Sequence, residues 1–416
     1  MSLGNITRAG YKNADAGRIP DGWKIVRLAD ICEVKGGKRL PKGFTLIKTM
    51  TSHPYIRVAD MENGSVSLKN ILYVPDEIWP AIKNYTISSN DLYISVAGSL
   101  GLVGKIPVQL ENANLTENAD KLTNIQAHID FLYHILSSSI VQKHIDGVRT
   151  TSAQPKLALE RIREFKIPYP PIGEQQCIAQ ILSTWDRAIE HVQRLIEAKQ
   201  RQKDQLVSQL LSGQKRFPGF QDEWNLVKLG AFLHPKFRKV VKPSGAYLRL
   251  GIRSHGKGTF TSVVDDPETI ALTHLFQVRK DDLIVNITFA WEGAIALVGP
   301  DGDGALVSHR FPTYVFDTSK MLPEYFKHLM VTERFFYELD LISPGGAGRN
   351  RVMNKGDFLK ITVTIPGVEE QKKIASVLGG MDEQIALLKK YLERLKEQKK
   401  GLMQKLLTGE IRVKVD

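Results

Sequence analysis

Cysteine is nearly absent. The 416 residues contain two, Cys32 and Cys177, in no spaced cluster. That excludes a disulfide framework and a cysteine-based zinc site, and it predicts a reducing cytoplasm. No run reaches the roughly 20 apolar residues of a membrane span. Residues 1–18 lack the apolar core of a secretory signal and read as a polar, poorly ordered tail. The phosphate loop G-x-x-x-x-G-K-[ST] is missing, which argues against nucleotide hydrolysis. The single Pro-Pro, Pro170-Pro171, lacks the preceding Asn or Asp of an adenine-methylating [ND]-P-P-[YFW] pocket. The segment GGAGRN is not followed by a helix at dinucleotide-binding spacing. No grouping of Asp and Glu singles out a nuclease site. The expectation is a non-enzymatic chain. Acidic residues are also the scarcer charge, 45 against 57 Lys and Arg, for a net +12. That balance favours a polyanionic partner, most often nucleic acid.

What the chain does have is a copy of itself. Glu174–Arg216 and Glu370–Arg412 align without a gap, with fifteen of 43 positions identical. DGWKIVRL at 21–28 matches DEWNLVKL at 222–229, YIRV at 55–58 matches YLRL at 247–250, and FLYHIL at 131–136 matches YFKHLM at 325–330. The offset varies between these segments, so each half is a variable globular part followed by a fixed long helix. Short apolar or alternating runs bounded by Gly, Asn, Asp and Pro, such as DLYISVAG and DLIVNITFA, read as strands of an α+β domain. A helix near 127–146, and its counterpart near 322–340, closes each domain.

The repeated helices carry a 4-3 heptad. In the first it runs Ile178, Leu182, Trp185, Ile189, Val192, Ile196, Lys199, Lys203, Leu206, Leu210. In the second it runs Ile374, Leu378, Met381, Ile385, Leu388, Leu392, Leu395, Lys399, Leu402, Leu406. Such a seam predicts that the two helices pair as a coiled coil. The first helix ends at Gly213 and the second domain starts within about ten residues, so the pairing is expected to be antiparallel, with a pseudo-twofold axis and one domain at each end. The seam lysines are expected to snorkel or to fix register. From Ile178 to Leu210 the rod is about 48 Å long, on the order of 14 base pairs of DNA. The expected organisation is a tail at 1–18, a domain at 19–170, a helix at 171–216, a second domain at 217–366, and a helix with its tail at 367–416.

The GWKIVRLADI opening, the PYPPIGEQ and TIPGVEEQ helix starts, and the QLLSGQKRFPGF linker into a new W-x-x-V-x-L segment together resemble the specificity subunit of type I restriction-modification systems. The resemblance covers the chain from about Ile19 onward. It implies two target-recognition domains, each reading half of a bipartite site on double-stranded DNA. It implies helices that dock two methyltransferase subunits, with endonuclease/translocase subunits joining that core. AdoMet, ATP and Mg are then expected on the partner subunits and no cofactor on this chain. Because the halves differ, the site is expected to be asymmetric. Competing readings are a single-chain nuclease, separated by assaying the isolated chain, and a protein-binding coiled-coil scaffold, separated by assaying DNA binding.

Candidate DNA contacts lie in Gly- and Arg-rich segments. Lys38, Arg39 and Lys42 sit in GGKRLPKG, where a mobile backbone and unpaired cations suit phosphate. Arg57 and Arg249, at matched strand positions, suit either a bidentate guanine contact or an ion pair. Arg149, Thr150, Thr151, Ser152, Gln154 and Lys156 form one polar loop, and Arg349, Asn350 and Arg351 form its counterpart. Arg253, His255 and Lys257 follow the second YLRL. Off the heptad seam, Leu195, Val207, Leu211, Leu387, Tyr391, Met403 and Leu407 are expected to meet the methylating subunits. Burial against the chain's own domains is the alternative near the rod ends.

Overall fold

The computed structural model describes residues 10–14, 17–149, 155–345 and 351–415. They divide into two units, Met1–Gln193 with Lys390–Asp416, and Arg194–Lys389.

In the first unit, β1 (Tyr11–Ala14) pairs antiparallel with β2 (Gly17–Pro20). Part of the expected loose tail is therefore a hairpin, and the Tyr11 hydroxyl donates to the Gly409 carbonyl at 2.9 Å. There follow β3 (Lys24–Arg27), β4 (Glu33–Gly36), β5 (Pro54–Ile56), β6 (Leu72–Tyr73) and β7 (Thr86–Ile87). Next come β8 (Leu92–Ser95), β9 (Val103–Lys105), β10 (Ala113–Leu115) and β11 (Ala119–Thr123). One sheet has the order β4-β11-β8-β9 and is antiparallel throughout. The other has the order β6-β5-β10-β7, with β5 and β10 parallel. All of β8 is buried. Leu92 and Ile94 enter one core and Tyr93 enters a second, as the period of two along a strand requires.

The helix expected near 127–146 is two helices, α1 (Ile129–Ser137) and α2 (Ser139–Arg149). At the break the Ser138 hydroxyl donates to the Ile135 carbonyl and accepts from the Ile140 amide, local bonding that competes with helix continuation. After α3 (Leu159–Arg163), β12 (Lys166–Tyr169) pairs with β3. Then α4 (Ile172–Leu211) begins, and its seam residues Ile178 and Leu182 join the main core.

The second unit repeats the plan. Its strands begin with β13 (Asn225–Lys228), β14 (Leu233–Pro235), β15 (Lys239–Val241), β16 (Tyr247–Ile252) and β17 (Thr259–Val264). They continue with β18 (His274–Gln277), β19 (Leu283–Val285), β20 (Ile295–Leu297), β21 (Leu306–Val307) and β22 (Thr313–Phe316). The sheets have orders β14-β22-β19-β20 and β15-β18-β21-β16-β17. The closing helix is again two, α5 (Pro323–Leu329) and α6 (Glu333–Leu341), followed by α7 (Lys355–Phe358). Strand β23 (Thr362–Ile365) pairs with β13 before α8 (Val368–Leu407).

Inside each unit the long helices run antiparallel. In the first, Glu174 pairs with Arg412 and Asp186 with Lys399, so one number rises as the other falls. In the second, Lys203 pairs with Asp382 at 2.5 Å and Arg216 with Glu370 at 2.7 Å. Lys203 and Lys399, two of the three seam lysines, are thus neither free nor snorkelling; an aspartate meets each. A histidine of the domain approaches the same aspartate, His134 to Asp186 and His328 to Asp382, both at 3.9 Å. Burial holds these imidazoles neutral, pushing His134 down to about 3 and His328 to about 4. Every other seam position is buried or half-covered.

The repeated Glu-Gln pair at the helix starts has a structural role in both units. Glu174 accepts from the Trp23 indole at 3.2 Å and from Arg412 Nε at 2.9 Å. Glu370 accepts from the Trp224 indole at 3.1 Å and from Arg216 Nε at 3.0 Å. Gln175 and Gln371 each accept the backbone amide that starts the closing helix segment, at His128 and Leu322, and donate to the carbonyls of Pro170 and Pro366. The chain leaves α4 and α8 through Gly213 and Gly409, both at φ 74°, a left-handed conformation that glycine adopts without strain.

Candidate nucleic-acid interface

In the first unit the GGKR segment continues β4, and backbone bonds anchor it. The Gly37 amide donates to the Ala119 carbonyl at 3.1 Å and the Lys38 amide to Leu115 at 2.8 Å. A Cβ on Gly37 would stand 2.1 Å from the Thr116 carbonyl oxygen, so only glycine fits. The Tyr55 hydroxyl donates to the Lys38 carbonyl at 2.9 Å. The start of the loop is therefore held in place, contrary to the expectation of a mobile backbone. Its cations project outward: Lys38, Arg39 and Lys42 are all exposed. Arg39 is not unpaired as expected, because Glu117 lies 3.4 Å from its Nε. Lys38 Nζ stands 5.6 Å from the centre of the Tyr85 ring.

The segment 155–159 crosses to the same place, where the Leu157 amide donates to the Val96 carbonyl at 2.9 Å. Lys156 thereby joins Lys38 and Arg39 around one basin of about 490 Å³, with Glu117 and Asp120 in its wall. Asp120 is 4% exposed. Burial lifts its carboxyl to about 6, against the pull of Lys156 and Arg163.

Arg57 does not belong to this face, and it does not lie on a strand. It caps the short 3-10 turn after β5, giving Asp60 two bonds of 2.9 and 2.7 Å and the Asn70 carbonyl one of 2.8 Å. Of the two roles open to it, the structure gives it the ion pair. Arg27 and Asp30 form the same Arg-x-x-Asp device.

In the second unit Arg249 lies within β16 and lines a second cavity of about 490 Å³, walled by Tyr247, Phe260, Phe289 and Phe311 with Asn286 and Glu292. Arg253 lies over the Phe260 ring, 5.0 Å from its centre, and donates to the Thr259 carbonyl at 2.6 Å. Lys257 is exposed. His255 has φ 62° and its amide donates to the Glu292 carbonyl at 2.7 Å. Arg351 is taken up structurally: it donates to the Ser343 and Asp340 carbonyls, pairs with the Asp340 carboxylate at 2.7 Å and covers the Trp291 ring. Exposed His309 and Arg310, just before β22, stand where the first unit has Glu117 and Asn118. They were not singled out in the sequence because no Gly-rich loop surrounds them.

Thr151, Gln154, Arg349 and Asn350 lie outside the described residues, as does the side chain of Arg149, the last residue of α2. Of the seven off-seam apolar residues, Leu195, Leu387 and Tyr391 are exposed. The other four are corrected. Val207 and Leu211 pack on the core of the second unit, Met403 packs on that of the first, and Leu407 is fully buried there. A heptad shows what lies off the seam but not what another segment lays over it.

Among described residues, no helix is long and apolar enough to cross a membrane. A family model, the type I restriction modification DNA specificity domain, matches residues 20–200 and 241–397. The putative type I restriction enzyme MjaX specificity subunit of Methanocaldococcus jannaschii is 25% identical over 97% of both chains. The MjaVIII specificity subunit of the same organism is 24% identical over 97% of this chain and 96% of its own. Among solved structures, the type I restriction-modification S subunit from M. genitalium superposes with a TM-score of 0.56 at 16% identity, covering 92% of this chain and 96% of that one. A chain from a structure reported on complex assembly and conformational transition of the type I system gives a TM-score of 0.57 at 15% identity, covering 94% and 99%.

Proposed function

The chain belongs to the type I restriction-modification DNA specificity family, and from that premise we propose that it is the sequence-reading, non-catalytic member of a restriction-modification assembly. Each unit reads one half of a bipartite, asymmetric site on double-stranded DNA. The observation that carries this is the basin of the first unit. Lys38 and Arg39 from one segment and Lys156 from another converge on one anchored surface. Exposed cations suit phosphate, which positions a reader without specifying sequence. The second unit offers a different set, Arg249, Arg253 and Lys257, beside an aromatic-walled cavity. Side chains that differ between the units would read different bases.

The long helices would hold the methylating subunits. Leu195 and Leu387 in the second unit and Tyr391 in the first remain exposed, at 44%, 67% and 51%. Large apolar side chains left uncovered on helices suit a partner's helices, as in a bundle. Methyl transfer, ATP use and cleavage would then lie on those partners, in line with the missing motifs. The test is to co-express the chain with type I methylating subunits and map modified adenines. One asymmetric two-part sequence is expected. Replacing residues 19–170 with the matching domain of a relative should change one half only. Modification with no sequence pattern, or methyl transfer by the chain alone, sinks the proposal.

A further inference from the structure

Among the described residues that line the basic surface of the first unit, Asp120 is the buried acid, and Glu117 is the other carboxylate. It sits in β11, hydrogen-bonded between β4 and β8, opposite Gly36 and Ile94. The residue is 4% exposed and its Oδ2 is buried without a hydrogen-bond partner. A buried carboxylate oxygen without a donor costs a folded protein about 1–3 kcal/mol or more. No neighbouring cation among the described residues, Lys156 included, hydrogen-bonds that oxygen. Arg163 donates to the Val34 carbonyl and to Glu160, Arg39 leans to Glu117, and Lys38 lies over Tyr85. The ligand that completes the site must bring a donor. A phosphate cannot do so, since phosphate and carboxylate both only accept. It must also tolerate Lys38, Arg39 and Lys156 on the rim, so the donor arrives attached to a polyanion. Nucleic acid combines the two: phosphates for the rim and base-edge amines for the floor.

We propose that Asp120 is a specificity-determining residue that accepts a hydrogen bond from the exocyclic amine of a base, cytosine N4 or adenine N6, in the half-site read by the first unit. This rests on the DNA-reading role given above. The equivalent position in the second unit cannot do the same. Counting from Asp91 and Asp282, each of which accepts the backbone amide three residues before it, Ile94 matches Val285. Ile94 opposes Asp120, whereas the Val285 amide donates to the Pro312 carbonyl. Proline stands where the first unit has its acid, so the amine preference belongs to one half-site only.

The experiment is base-by-base binding selection on randomised duplexes by the full chain assembled with its methylating subunits, for wild type, Asp120→Asn and Asp120→Ala. Wild type should prefer C or A at one position of one half-site. Which of the two is enriched identifies the amine. Asp120→Ala should cut that preference about tenfold at that position and leave the other half-site unchanged. Asp120→Asn, which keeps the shape, should alter the preferred base there without weakening binding overall, because a negative charge has left a phosphate-facing surface. Denaturant melts of both variants check that they are folded. Unchanged base preference in both folded variants overturns the inference while the DNA-reading role stands. Loss spread evenly over both half-sites also overturns it. A wild-type assembly with no base preference anywhere overturns the DNA-reading role, and this inference with it.

Discussion

Glu174 and Glu370 do one job in two places, whereas Asp120 and Pro312 hold one place and do different jobs. In both units a buried glutamate at a helix start gathers a tryptophan from the domain's first strand region and an arginine from beyond the end of the other long helix. In both, an aspartate on one long helix answers a lysine on the other beside a buried histidine. The surfaces the two units present to a ligand share no such matching. The first unit carries a basic basin with an acid in its floor, and the second an aromatic cavity with an arginine at its wall. The contacts that assemble a unit repeat and those available to a ligand differ. A duplicated reader that recognises two unlike half-sites needs that division.

The sharpest way to break the comparison is at the tryptophans. Trp23 is fully buried and Trp224 only partly so. Trp23→Ala should cost about 3–5 kcal/mol, and Trp224→Ala clearly less, by urea denaturation. Equal losses would show that the two nodes are more alike than their burial indicates.

Acid should strain both units through the same device. His134 and His328 are held neutral by burial, at about 3 and about 4, whereas in the unfolded chain each takes a proton near 6.5. The unfolded state therefore binds more protons, and stability falls as pH drops through 6.5 toward 4. The loss should be on the order of 3 kcal/mol and larger for the first unit, whose histidine is shifted further. His134→Gln should flatten the decline more than His328→Gln; the reverse order would contradict the burial argument.

Asp120 separates the units in the opposite sense of pH. Its carboxyl is raised to about 6, so ionisation costs stability that is intact below the unfolded value near 4 and drains as pH rises through 6. Asp120→Asn should stabilise by on the order of 2 kcal/mol at pH 8 and by almost nothing at pH 3.5. A benefit independent of pH would mean that it does not come from the cost of ionising the buried carboxyl.

The smallest effect belongs to the rim. Lys38→Ala should weaken DNA binding evenly across sequences and lower the salt slope by about one. Arg249→Ala should change base preference in the other half-site by roughly 1–3 kcal/mol. If Lys38→Ala shifted sequence preference instead, the split between positioning and reading would have to be redrawn.

Much of this architecture is legible in the residues. The gapless repeat, its 4-3 seam and the short linker after Gly213 point to two domains and antiparallel helices, and the contacts in each unit agree. Three things are hidden for physical reasons. A strand's polar residue looks the same whether it faces water or a core, so Asp120 in ADKLT gives no sign of its burial. An arginine's type does not reveal its partner: Arg57 and Arg351 are held by Asp60 and Asp340, brought near by local folding rather than by any pattern. And the Glu-Gln pairs at the helix starts are visible as identities, while their partners, Trp23 and Arg412 or Trp224 and Arg216, lie too far along the chain to be linked by reading.

The closure of the first unit by Leu406, Leu407 and Arg412 has a consequence for the order in which the chain can fold as it is made. The second unit is one continuous stretch, Arg194–Lys389. It has all its parts before synthesis ends. The first unit, begun earlier, waits for residues 390–416 to leave the ribosome before its core is sealed. Premature termination after residue 400 would therefore damage the domain made first and spare the one made last. A nascent chain would carry its earliest domain open, with an apolar gap at Ile178 and Leu182, throughout the time its later domain is being finished.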